Sequence, residues 1–171
     1  MSNLALRQLK SEDKDRVSRI IAEHWGASTV IAHGNIYRPS DLPGFIAFHT
    51  GAKDNWLGLT TYNIHDDQCE IVTIDSLSPT KGVGTALLGA VQQVAIKAGC
   101  KRLWLITTND NLDALRFYQK RGFVLVAVHR SAINRSRKLK PEIPEFGAYG
   151  IPLRDEIELE MALPVTTRQV K

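Results

Sequence analysis

The 171-residue sequence has little cysteine and no long apolar run. Its two cysteines, Cys69 and Cys100, are far apart and match neither a zinc-ligand nor a CxxC spacing. This excludes a disulfide framework and predicts reduced thiols in the core. The longest uncharged stretch runs from Gly82 to Ile96 and holds 15 residues, two of them glutamine. A membrane helix needs about 20 mostly apolar residues, so this stretch is not one.

The N-terminus also lacks an apolar signal segment, because charged residues begin at Arg7. We therefore expect a cytoplasmic protein that makes no membrane contact. The five histidines show no HxxxH or HExxH spacing, so we expect no metal site.

Composition and charge are ordinary for a globular protein. Hydrophobic residues make up 43% and charged residues 23% of the chain, and the formal net charge is +4. That charge permits an anionic partner without requiring one. The length predicts one domain, which we place at residues 1–163, followed by a frayed tail at residues 164–171.

The first half of the sequence predicts a strand, a helix and three further strands. Residues 3–9 alternate in polarity as a strand does, and Ser11 suits the N-cap of a helix that Gly26 ends. Residues 26–42 show no regular pattern and are expected to be irregular. Three strands follow, at residues 44–49, 56–64 and 69–77. The short turns between them predict an antiparallel meander.

The second half alternates between helices and strands, which predicts a parallel crossover beside the meander. The predicted order is a helix from Gly82 to Gly99, a strand at 102–107, a helix at 112–121, a strand at 123–129 and a last strand around 157–161. Residues 133–154 carry several prolines and glycines and are expected to form a long connection that is functional or contacts a partner.

The segment from Ser78 to Leu88 joins the fourth predicted strand to a helix. Such a junction points several unpaired N–H groups at one spot, and the helix dipole adds positive charge there. Gly82 and Gly84 lack a Cβ atom, so a phosphate can approach the backbone, and Lys81 adds a full charge. A tight turn with close helix packing is the alternative explanation. The segment matches neither a Walker loop nor a dinucleotide fingerprint.

The helix that starts at Asn111 carries a second pattern. Asn111 suits the N-cap, and Ala114, Phe117 and Tyr118 share one face because they lie three and four positions apart. Taken alone, this face is equally well explained by core packing with a satisfied tyrosine.

Together, the two segments resemble the GNAT superfamily of acyl-CoA-dependent N-acetyltransferases. Residues 82–84 resemble the end of its Q/R-x-x-G-x-G/A loop, with Pro79 in place of the usual Arg or Gln. Residues 111–123 are similar to its N-x-x-A-x-x-F-Y-x-x-x-G-F motif. The resemblance implies an α+β GNAT fold: a mixed central sheet of about seven strands with an antiparallel N-terminal meander, parallel splayed strands four and five, and flanking helices.

The resemblance also implies the activity and the cosubstrate site. The protein would move an acetyl group from acetyl-CoA to a primary amine, on a small molecule or a protein, by direct attack in a ternary complex. Leu77 and its neighbours would pair with the pantetheine arm, and one of their N–H groups would polarise the acetyl carbonyl. Asn111 would contact the pantetheine or hold the loop, and Tyr118 would protonate the departing thiolate. The pyrophosphate would be bound by the N–H groups of Gly82, Val83, Gly84, Thr85 and Ala86.

Two carboxylates on the fourth strand are candidate bases for the amine. Glu70 stands where many relatives have a glutamate and ranks first, while Asp75 is nearer the expected acetyl position. On a regular strand, residues five apart face opposite sides, so only one can face the cleft unless a bulge intervenes. A water chain without a dedicated base, or two solvated strand carboxylates, are the alternatives.

Other readings of the sequence stay open. A non-catalytic acyl-CoA-binding module on the same fold would keep the glycines without needing Tyr118. A nucleic-acid-binding domain would depend on the basic residues of 130–140, but no aromatic is interleaved there and a solvated loop is the simpler explanation. The glutamates at 156, 158 and 160 are expected to face solvent. Trp25 and Tyr37 are candidates for the acceptor wall, and the long connection leaves a homodimer open.

Overall fold

The computed structural model describes residues 3–164 and is built around a seven-stranded mixed sheet. The strands are β1 Leu4–Gln8, β2 Val30–Ala32, β3 Asn35–Tyr37, β4 Gly44–His49, β5 Ala52–His65, β6 Gln68–Ser76, β7 Arg102–Thr108, β8 Val124–His129 and β9 Glu156–Ala162. The α-helices are α1 Lys14–Trp25, α2 Val83–Lys97, α3 Leu112–Gln119 and α4 Ala132–Leu139. The sheet order is β1-β4-β5-β6-β7-β9-β8, and β2 and β3 form a separate hairpin.

The predicted topology is confirmed. The strands β1, β4, β5 and β6 pair antiparallel, β6 and β7 pair parallel, and β9 is antiparallel to both β7 and β8. The crossover between β6 and β7 is made by α2, as the helical spacing after the glycine turn predicts. The predicted tail lies outside the described residues from position 165 onward.

Helices cover both faces of the sheet. Val17 and Ile21 of α1 pack with Ile46 and Leu59 on one face. On the other face, α2 packs over the meander, and α3 joins it against β7 and β9. The buried side chains of this second face include Leu88, Val91, Leu103, Leu105, Tyr118 and Leu159.

Residues 26–42 are more regular than predicted, because they contain the β2–β3 hairpin. His33 and Gly34 connect the two strands with φ values of 52° and 73°. Two consecutive positive φ values define the tight turn that matches strand twist, and only one of the two residues is a glycine. The strands have three residues each, too short for alternation to register in the sequence.

The connection at 133–154 was also predicted wrongly in part, since it begins with α4. Ala132, Ile133 and Ser136 form the buried face of this short helix. Arg137 then donates hydrogen bonds to the carbonyl oxygens of Pro144 and Leu153, both at 2.6 Å. At least this arginine of the basic cluster therefore fastens the loop that follows α4.

The prediction that the β9 glutamates face solvent is wrong for two of the three. Glu156 is 2% exposed, and the side chain of Glu158 is 12% exposed. Both lie on the sheet face that the hairpin and α4 cover, because the strand alternates and Leu159 takes the opposite face in the core. Among residues 3–164, no helix has the length and apolar character needed to cross a membrane.

Candidate active site

A cleft opens where β6 and β7 separate. Their parallel pairing runs from Gln68–Arg102 to Ile71–Leu105, while both strands continue for several more residues. A cavity of about 390 Å³ fills the resulting gap. Its walls are residues 71–76 of β6, residues 105–107 of β7, one face of α3, and Trp25 and Gly84. The parallel splayed pair predicted from the sequence is thus present in the fold.

A β-bulge in β6 sets which side chains face this region. Thr73 pairs with Thr61 of β5 and Ile71 pairs with Tyr62, so Val72 is an extra residue without a partner. The extra residue reverses the alternation, and Glu70 and Asp75 come to the same face of the sheet. Asp75 accepts a hydrogen bond from Trp25 of α1 there, and Glu70 accepts one from Tyr37 of the hairpin.

The glycine turn meets the cleft at the start of α2. Gly82 is the N-cap with φ of 89°, a left-handed conformation that glycine adopts without strain. A Cβ atom at Gly84 would lie 3.1 Å from the ring of Phe117, so this glycine lets α2 and α3 pack closely. The first N–H groups of a helix have no carbonyl partner within it, and they point along the axis away from its body. The tight turn and the close helix packing are therefore both present, and the same turn leaves the first N–H groups of α2 without a helical partner.

Tyr118 lines the cavity from α3 and is 3% exposed. Its ring packs edge-on against Phe117 and Phe123, with centroids 5.1 and 5.2 Å away. Burial raises the pKa of the Tyr118 phenol well above its ordinary value, and the negative charge of Asp75 raises it further. The side chain is therefore a neutral hydroxyl donor at physiological pH.

Asp75 shares this cavity with Tyr118. The indole Nε1 of Trp25 donates to Asp75 Oδ1 at 3.1 Å. Burial raises the pKa of the Asp75 carboxyl, and the Trp25 hydrogen bond only partly opposes this. A carboxyl with a raised pKa in a cleft is a candidate for accepting a proton from a bound group.

The predicted backbone contact at Leu77 is already used by the fold. The Leu77 N–H donates to the carbonyl oxygen of Leu57 at 2.9 Å, on the β5 side. Because N–H groups along a strand alternate in direction, those of Ile74 and Ser76 point to the β7 side, where the cleft lies. The donors that could polarise a carbonyl in the cleft are therefore these neighbours of Leu77.

The side chain of Asn111 holds the start of α3. Its Oδ1 accepts a hydrogen bond from the N–H of Ala114 at 3.1 Å, as an N-cap does, while the residue also lines the cavity. Lys81 is exposed beside the glycine turn. Sequence reasoning missed Arg121, whose guanidinium lies 3.7 Å from the Phe117 ring centroid and donates to Thr85 Oγ1 at 2.7 Å. This contact joins α2 to the end of α3, and no pattern of neighbouring residues in the sequence predicts it.

Glu70 borders a second and larger cavity, of about 620 Å³. The Tyr37 hydroxyl donates to Glu70 Oε2 at 2.7 Å, and the carboxylate is almost fully buried. Burial raises the pKa of Glu70, and the nearby Glu156 and Glu158 raise it further, against the Tyr37 hydrogen bond. Burial and the same bond raise the pKa of Tyr37 to about 12. The structure thus brings Asp75, Tyr118, Asn111 and Gly84 to one cavity and places Glu70 at another.

Comparison with known proteins identifies relatives of this arrangement. The model of the Acetyltransferase (GNAT) family matches residues 5–123. The uncharacterized protein YdhI of Bacillus subtilis is 44% identical over 144 residues, which cover 84% of this chain and 89% of YdhI.

Solved structures with the same fold have lower identity. A Bacillus subtilis acetyltransferase in complex with CoA superposes with a TM-score of 0.64 at 20% identity, over 95% of this chain and 99% of that one. A GNAT family acetyltransferase from Elizabethkingia anophelis with acetyl-CoA bound also gives 0.64 at 20% identity, over 95% of this chain and all of the other.

Proposed function

The chain belongs to the GNAT family of acetyltransferases, and from that premise we propose that it transfers an acetyl group from acetyl-CoA to a primary amine by direct attack in a ternary complex. The observation that carries the proposal is the cleft between β6 and β7, where Asp75 and Tyr118 line one cavity beside the start of α2. The acetyl-CoA-bound state of a fold relative supports the same cosubstrate here.

The residues around the cleft suit acetyl-CoA, which would supply an activated acetyl thioester. The N–H groups of Val83, Gly84 and Thr85 have no carbonyl partner within the helix and would bind the pyrophosphate of acetyl-CoA. The N–H of Ala86 already donates to the carbonyl oxygen of Gly82. The left-handed Gly82 starts this turn of helix. Lys81 adds positive charge at the same place.

The amides of Ile74 and Ser76 would hold the acetyl carbonyl. They point to the side of β6 that β7 no longer covers, so a carbonyl oxygen placed there meets preorganised N–H donors. Tyr118 would donate its proton to the departing sulfur, since its phenol is neutral and lines the same cavity.

The acceptor amine must lose a proton before it attacks. For an amine with a pKa of about 10.4, neutrality at pH 7 costs roughly 4.6 kcal/mol, at 1.36 kcal/mol per unit. Glu70 and Asp75 are the candidate bases, because burial gives each a raised pKa. We propose that the amine enters through the cavity beside Glu70, whose buried carboxylate attracts a cationic group.

The test is acetyl-CoA binding and turnover, measured on the wild type, Tyr118→Phe and Tyr62→Phe. Calorimetry gives the dissociation constant, and thiol release is followed over a panel of amines. Tyr62 is a matched control, because it is a buried tyrosine that stacks on Phe45 and does not line the cleft. We expect all three proteins to bind acetyl-CoA and only Tyr118→Phe to lose thiol release, by about 100-fold or more.

The remaining outcomes separate the alternatives. No acetyl-CoA binding by the wild type would refute the proposal. Binding by the wild type without thiol release on any amine would favour the non-catalytic acyl-CoA-binding module. Equal thiol release by the wild type and Tyr118→Phe would keep the activity and remove the acid role of the phenol.

A further inference from the structure

Two histidines and a glutamate from three distant parts of the chain converge on one point. His33 lies in the turn of the β2–β3 hairpin, His129 ends β8, and Glu158 lies in β9. Glu158 Oε2 is 2.9 Å from His129 Nε2 and 3.3 Å from His33 Nε2. One ligand atom from each residue lies within 4.8 Å of the other two.

We propose that these three side chains form a binding site for a divalent transition-metal ion such as Zn²⁺. The site is separate from the cleft, and the inference does not depend on acetyl transfer. Two imidazoles and one carboxylate are a ligand set that Zn²⁺ uses in proteins, with a further position left to water or another ligand.

The distances suit this ion. Ligand atoms at about 2.0 to 2.1 Å from a tetrahedral Zn²⁺ lie about 3.3 Å from one another. The two contacts of Glu158 Oε2 differ from that separation by at most a few tenths of an ångström. The histidine rings stand edge to face with centroids 4.3 Å apart, so both Nε2 atoms reach the same carboxylate oxygen without stacking.

The surrounding charge favours a cation. Glu156 and Glu160 lie on the same face of β9 as Glu158, and one guanidinium, that of Arg102, is paired with Glu158 and Glu160. A second guanidinium, that of Arg135, lines the cavity beside the two histidines and Glu156. Glu70 adds a further carboxyl near Glu156 and Glu158, so acidic groups outnumber the guanidinium groups and favour a cation.

Neighbouring groups already orient the ligands. Arg102 bonds to Oε1 of Glu158, which leaves Oε2 as the atom that faces the histidines. The buried carboxylate of Glu156 accepts a hydrogen bond from the backbone N–H of His33 at 3.2 Å and so holds the hairpin turn near the site. Supporting contacts of this kind are typical around metal ligands.

A metal here would fasten the hairpin to β8 and β9. The hairpin carries Tyr37, and together with Glu70 it forms the wall of the larger cavity. The site would therefore fix the shape of the proposed acceptor entrance without taking part in the reaction.

The test uses the full chain without a polyhistidine tag, treated with a chelator and then freed of it. Calorimetry with Zn²⁺ alone should show one ion per chain. Co²⁺ should give the visible absorption of a tetrahedral nitrogen and oxygen site. Hydrogen exchange of residues 30–37 should slow when Zn²⁺ is added, because the hairpin becomes tied at its turn.

Variants locate the ion. His129→Ala and Glu158→Gln should each weaken Zn²⁺ binding at least tenfold and abolish the slower exchange of the hairpin. His65→Ala is the matched control, since His65 also sits beside a carboxylate, Asp66 at 2.9 Å, but is exposed and outside the three-ligand cluster. It should bind Zn²⁺ like the wild type. Circular dichroism without metal checks that each variant is folded.

Three results would overturn the inference. The first is no Zn²⁺ binding by the wild type at 1 mM metal, since a Kd above 1 mM means a binding free energy weaker than about −4 kcal/mol. The second is unchanged binding in both ligand variants. The third is a thiolate charge-transfer band with Co²⁺, which would place the ion on Cys69 or Cys100.

Discussion

Replacing Gly82 and Gly89 by alanine, one at a time, tests whether the N-cap of α2 needs a glycine for its left-handed backbone conformation. Gly82 has φ of 89°, and an added Cβ atom would meet nothing within 4 Å. The cost of Gly82→Ala is therefore backbone strain alone, about 1 to 2 kcal/mol. Gly89 lies inside the same helix, and a Cβ atom there also meets nothing within 4 Å. Alanine at this position should stabilise the fold by about 0.5 to 1 kcal/mol.

The free energies of unfolding of the two variants should differ by roughly 2 kcal/mol, with Gly82→Ala below the wild type and Gly89→Ala above it. For a domain of this length that is about 4 to 8 °C in melting temperature, or a clear shift in urea midpoint. Calorimetry should also show weaker acetyl-CoA binding in Gly82→Ala, because the strained turn displaces the first N–H groups of α2. Gly89→Ala should bind like the wild type. The reasoning fails if Gly82→Ala is as stable as the wild type, or if both variants shift in the same direction.

Four other predictions follow from the contacts. Burial raises the pKa of Glu70 above its value in the unfolded chain, so the free energy of unfolding falls as pH rises past the ordinary carboxyl pKa. Glu70→Gln should remove this part of the fall, measured by urea titrations at several pH values. An unchanged slope of unfolding free energy against pH would argue against the prediction. The variant among Glu70→Gln and Asp75→Asn that loses the acidic limb of the pH–rate profile identifies the base, and an unchanged limb in both would favour a water chain. Arg121→Ala removes a positive charge and the hydrogen bond to Thr85 Oγ1 beside the start of α2, so it should raise the Kd for acetyl-CoA several-fold and weaken its salt dependence. An unchanged Kd in calorimetry would show that this contact does not support the proposed pyrophosphate site. Arg137→Met should cost about 2 kcal/mol and speed proteolysis within residues 141–154, and an unchanged cleavage rate would contradict its role in that loop.

Local patterns predicted most of the sheet, while the cleft was implied by the resemblance to the GNAT family. The meander, α2 and α3 follow from alternation, helical spacing and glycines at helix ends, which depend only on neighbours in sequence. The glycine turn and the face of α3 that carries Tyr118 were identifiable for the same reason. The cavity between them follows from the topology, because α2 and α3 both begin at the end of the sheet where β6 and β7 diverge.

Contacts between distant segments were not predictable. His33 meets His129 and Glu158 only because the hairpin folds over the end of β9, and no spacing in the sequence reports it. The burial of Glu156 and Glu158 was missed because a glutamate alternating with apolar residues is normally a solvent-facing pattern. The Arg121 contact with Thr85 likewise depends on how two helices approach each other.

The extra residue in β6 means that the placement of Glu70 and Asp75 on one face of the sheet depends on chain length as much as on residue type. Removing Val72 would restore regular alternation and turn either Glu70 or Asp75 to the opposite face, though both residues would still be present. A protein that kept every polar side chain of β6 and lost this one residue would retain the motif and lose the arrangement. Gain or loss of a single codon at this point of the gene would therefore move one carboxylate from one face of the sheet to the other, which no substitution at Glu70 or Asp75 reproduces.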